Sequence, residues 1–111
     1  MGMNAFLTVG HGQNVDETFF QTVAKSKLDD GYCYSGEVGM KKSYIVISKT
    51  EVGTQNPFKY ANKLFYDARI TKYGPAGIIE ITGEHMEKYR KVHNLVGKKI
   101  KAYIIFGWAC I

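Results

Sequence analysis

Of 111 residues only two are cysteine, two are proline and one is tryptophan, and 13 of the 15 basic residues are lysine. Cys33 and Cys110 are too few for a disulfide framework and lack the Cys-x-x-Cys spacing of a zinc site, so a reducing, cytoplasmic setting is expected. The longest uncharged apolar run, residues 102–111, is about half the length of a membrane span, which argues against a transmembrane or secretory segment. Gly2 invites an N-myristoyl reading, but that motif wants Ser or Thr where Phe6 stands. With Met3 behind it, Met1-Gly2 reads as a cloning remnant. Internal repeats, linkers and low-complexity tracts are also lacking, so the expectation is one domain over 1–111.

What is there is globular in composition. The chain is 45% hydrophobic, 14% aromatic and 23% charged, outside the range of disordered or fibrous sequences. Its net charge of +5 is unevenly laid out: residues 1–40 sum to −3, and residues 41–82 and 83–111 to +4 each. With Arg69 and Arg90 the only arginines, planar bidentate contacts are few, and an anionic partner would meet mobile lysine point charges. A solvated, lysine-rich exterior that aids solubility accounts for this charge equally well.

Strand and helix signals alternate. Residues 5–9 form a short apolar run closed by Gly10-His11-Gly12, and Asn14 with Glu17 has the spacing of a capping box for a helix ending near Leu28. Residues 32–35 and 42–49 read as a hairpin around 36–39. Asn56-Pro57 is a cap followed by proline at the first helical position, and Phe58, Ala61, Leu64, Phe65 and Ala68 recur at helical spacing. Residues 78–81 read as a buried strand, 84–95 as a helix capped by Thr82, and 98–110 as the last and most apolar strand. The order β-α-β-β-α-β-α-β begins as a ferredoxin-like split β-α-β and adds one helix and one strand. A mainly antiparallel α+β sheet with helices on one face is the expected fold.

Three constellations are candidates for function. In strand phase Tyr32 and Tyr34 share a face, as do Lys42 and Tyr44, and Lys99, Lys101 and Tyr103. If the helices covered the other side, tyrosines interleaved with lysines would form an open surface. Single-stranded nucleic-acid binders use such surfaces, and so do protein interfaces, where tyrosine is enriched. Tyrosine is also an ordinary strand residue, and residues 41–48 do not match the RNP1 consensus. The expected function is therefore non-enzymatic binding of a macromolecule: a protein or a second copy first, a nucleic acid second. A homodimer is suggested by residues 98–111 if they end at a sheet edge.

The second candidate is Gly10, His11, Gly12, Gln13 and Asn14, a turn that could hold a nucleotide or another small anionic ligand, with His11 as an acid–base residue and Glu80 as its partner. Asp16 and Glu17 would repel a phosphate there, and neither a dinucleotide fingerprint nor a Walker loop is present. The third is His85, Tyr89 and His93, spaced four apart. His85 and His93 would stand about 12 Å apart along a helix, too far to share an ion, and an amphipathic stripe explains the spacing. No cofactor and no metal are expected.

Overall fold

The computed structural model describes residues 3–30, 41–71 and 73–110. Their elements are β1 (Met3–Gly12), α1 (Val15–Asp30), β2 (Tyr44–Val46), α2 (Lys49–Val52), α3 (Pro57–Leu64), β3 (Ala76–Ile81), α4 (Gly83–Val92) and β4 (Lys101–Cys110). The second strand expected over 32–35, and its hairpin, lie outside the described residues.

Local signals set several boundaries. Asn14 Oδ1 accepts from the Glu17 N–H at 2.8 Å, and the Glu17 carboxylate accepts from the Gln13 N–H at 2.8 Å. Two of the donors orphaned at the start of α1 are thereby satisfied. Asn56 caps α3 through the Phe58 N–H at 2.9 Å, with Pro57 at the first helical position. Ser48 caps the single turn of α2 by accepting from the Glu51 N–H at 3.1 Å. That turn cuts the long strand expected over 42–49 down to three residues.

The fold is α+β in class, with one four-stranded mixed sheet of order β1-β4-β3-β2. β4 runs antiparallel to both of its neighbours, and β2 pairs parallel to β3. A parallel pair needs a long crossover, which here is the α2–α3 segment. This sheet does not reproduce the ferredoxin-like order, and the last strand sits at its centre rather than at an edge.

The expectation of helices on one face is corrected as well. Alternate residues of β4 feed two separate cores. Ala102, Ile104 and Phe106 pack with Val52, Ala61, Leu64 and Met86 from α2, α3 and α4. Tyr103, Ile105 and Ala109 pack with Phe19 and Val23 from α1. A strand covered on both sides reads as an unbroken apolar run, and 102–109 is such a run. Ile104, Ile105 and Phe106 are fully buried. Full burial of each such side chain contributes about 1.5–3 kcal/mol, so the middle of β4 is the centre of the stability.

Candidate functional site

Helices on both faces remove the open tyrosine–lysine surface. Tyr103 is 4% exposed beneath α1, and burial followed by the nearby Glu80 carboxylate holds its hydroxyl above the usual tyrosine range. Tyr44 is half-buried against the same core and donates to Asp16 Oδ1 at 2.8 Å. That bond, together with burial, raises its pKa in turn. Neither ring presents a flat stacking surface. Lys42, Lys99 and Lys101 are exposed, but they no longer flank an open aromatic face. Tyr32 and Tyr34 lie outside the described residues.

Gly10, His11 and Gly12 are the end of β1 rather than a turn. The two glycines serve packing: a Cβ on Gly10 would stand 2.5 Å from Thr22 Oγ1, and one on Gly12 2.6 Å from Thr18 Oγ1. Their bareness lets α1 lie close on the strand. Gln13 and Asn14 are engaged in capping α1. His11 follows Leu7 and Val9 onto the α4 face, whereas Glu80 follows Ala76 and Ile78 onto the α1 face. The expected His11–Glu80 acid–base pair is therefore split by the sheet. Glu80 meets Lys49 instead, at 3.4 Å.

His11 has another neighbour. Its Nδ1 lies 2.6 Å from the Tyr89 hydroxyl, and its ring is 5.9 Å, centroid to centroid, from that of His93. Tyr89 and His93 are stacked at 4.1 Å with an interplanar angle of 31°. The end of β1 and the last turns of α4 thus bring together rings from two sequence candidates that were read separately. Burial raises the Tyr89 pKa above the usual tyrosine range. His85, also on α4, lies apart from this trio and makes an edge contact with Phe58.

Because β2 and β3 are parallel, their carboxyl ends and the loops beyond them lie together. Crevices outside such ends are common ligand sites in α/β sheets. The crevice here is a cleft of about 300 Å³ lined by Lys49, Gln55, Glu80, Thr82, Glu84 and His85 over an apolar floor that includes Ile47, Val52 and Ile79. Sequence reasoning placed no site there, since α2 and the parallel pairing were unread.

A further feature is the outer edge of β1. Among the described residues this strand pairs only with β4, over all ten of its positions. It carries no charged residue and no proline, and Met3 and Leu7 are 51% and 39% exposed. No protein-family model matches the chain, and neither a curated protein nor a solved structure does.

Proposed function

We propose that this chain is a non-enzymatic binding protein whose partner, a second copy in the first instance, pairs with the open edge of β1. The observation that carries the proposal is an uncharged ten-residue strand at the edge of a sheet in a chain of net charge +5. Exposed edges offer a row of unpaired backbone donors and acceptors, and monomeric proteins usually block them with charge, proline or brevity. β1 has none of the three. Strand addition supplies affinity through the main chain and specificity through alternate side chains.

A second copy suits this edge for two reasons. The strand has no charge to set against itself, whereas the lysine-rich remainder of the surface would repel its like. A two-fold axis perpendicular to the sheet also keeps each side chain on its own face, so facing residues share parity. Centred on Leu7, the pairing sets the exposed Leu7 against its own copy, Ala5 against the half-buried Val9 and Met3 against His11. Light scattering across a concentration series should show a dimer, and Leu7→Lys should weaken it by about tenfold or more through like charges at the axis while leaving the far-UV spectrum intact. A chain that stays monomeric at high concentration rejects the proposal.

A nucleic-acid partner would rest on the exposed lysines rather than on stacking by Tyr44 and Tyr103, and its binding would fall steeply with salt. A second reading, a small-molecule binder, is favoured by the cleft at the ends of β2 and β3 rather than by the glycine segment. Lys49 and Glu84 both line it and Lys49 is engaged by Glu80, so a neutral polar ligand fits better there than the small anion first considered.

A further inference from the structure

We propose that His11 and His93 form a binding site for a divalent first-row transition-metal ion, with Tyr89 as the residue that holds the His11 ring for ligation. The two imidazoles come from the end of β1 and the C-cap of α4, 82 positions apart in the chain, and both are exposed. An ion about 2.0–2.1 Å from one nitrogen of each ring would set the ring centroids between about 4.5 Å, for ligands at a right angle, and about 6.4 Å, for a linear pair. The observed 5.9 Å falls inside that interval, so the spacing of the two rings is compatible with one ion held between them.

Tyr89 supplies what a pair of surface histidines ordinarily lacks. A metal-bound histidine nearly always has its second ring nitrogen engaged by another group, which fixes the tautomer and the ring's orientation. Here the Tyr89 hydroxyl stands 2.6 Å from His11 Nδ1. When it accepts the Nδ1 proton, Nε2 is left with its lone pair free for an ion. The ring of Tyr89 is half-buried against the core and stacks on His93, so one residue positions both ligands. Among the described residues no group of three His, Cys, Asp or Glu side chains is placed to hold a metal. Two coordination positions are therefore protein nitrogens and the rest are open to water or to an external ligand. Imidazole with no thiolate and no carboxylate suits copper(II), nickel(II) and zinc(II), in falling order of affinity from copper.

Both ligands come from one copy. The test is titration of the intact chain with copper(II), followed by calorimetry and by electron paramagnetic resonance. Because His11 also belongs to β1, the titration is made at a concentration where the chain is monomeric. One ion per chain with hyperfine coupling to two imidazole nitrogens is expected. His11→Ala and His93→Ala should each weaken binding about tenfold or more, and Tyr89→Phe, which keeps the stack and removes the hydroxyl, by about tenfold. His85→Ala should leave binding unchanged. A signal that persists in the double variant His11→Ala/His93→Ala, or one with a single nitrogen, overturns the proposal. So does copper binding with the same affinity in Tyr89→Phe, as far as the positioning role is concerned. Because both histidines are exposed, the variants should melt as the parent chain does, and a melting curve for each confirms that the fold is intact.

Discussion

The two edges of the sheet are unlike. β2 offers three residues, with Lys41 and Lys42 shortly before it and Lys49 shortly after; brevity and flanking lysines are the usual defences of a sheet edge. β1 offers ten residues and no charge. The β2 side is also tied down by polar contacts. Lys41 is 4% exposed and donates from Nζ to the carbonyls of Thr71 and Gly74 at 3.0 and 2.9 Å. Arg69 makes a two-pronged contact with Glu51 at 2.9 and 2.7 Å and reaches Asp67 at 2.9 Å. Among the described residues the two ends of the sheet thus differ in length and charge, and the proposed function rests on that difference.

The largest effect expected on this comparison comes from the strand that both halves share. Ile105→Ala removes a fully buried side chain from the α1 core and should cost about 2–5 kcal/mol. Thermal unfolding should then shift down as one transition, both edges being lost together; separate transitions would show the two halves to be independent. A smaller effect concerns the β2 side. The Arg69 guanidinium, with the Tyr60 hydroxyl also bonded to Glu51, holds the Glu51 carboxyl below its ordinary value, and Arg69 does the same for Asp67. Carboxyls whose pKa is lowered by folding stabilise the protein above their ordinary range, and that contribution is lost as pH falls through the lowered values. Arg69→Ala should therefore melt below the parent at pH 7, with the gap closing as pH falls through the lowered carboxyl values. The groups are exposed and screened, so a modest gap is expected, and one that widened in acid would contradict the assignment. Smallest of all is Val46→Lys. Val46 is 54% exposed on β2, and a lysine there should change neither stability, beyond about 0.5 kcal/mol, nor the oligomeric state.

How much of this was legible in the chain follows from where each signal resides. The caps at Asn14 and Asn56 are local chemistry, so they could be read directly from the residue types. Thr82 marked the start of α4 correctly, although its side chain makes no capping bond. The burial of Tyr103 runs against its local pattern, because Lys99 and Lys101 precede it in phase and suggest an exposed face. The unbroken run 102–109, lacking polar alternation, was the available sign of a strand covered on both faces. Strand order and the parallel β2–β3 pair depend on which segments meet, and no local pattern encodes that. The His11–Tyr89–His93 cluster was beyond reach for the same reason. His93 was paired in sequence with His85, its helix neighbour, while the residue it approaches comes from the other end of the chain. The glycines of 10–12 were visible, but what they approach is Thr18 and Thr22 of α1 and not a ligand.

The central claim is that the outer edge of β1 is where this protein meets its partner. Amide hydrogen exchange, resolved by residue and measured at low and high protein concentration, tests it most directly. If two copies pair there, the slow exchange of the β1 amides facing β4 should be independent of concentration, whereas the outward-facing amides of β1 should become protected as concentration rises and those of β2 should not change. Outward β1 amides that exchange equally fast at both concentrations, in a chain that remains monomeric, would contradict the account.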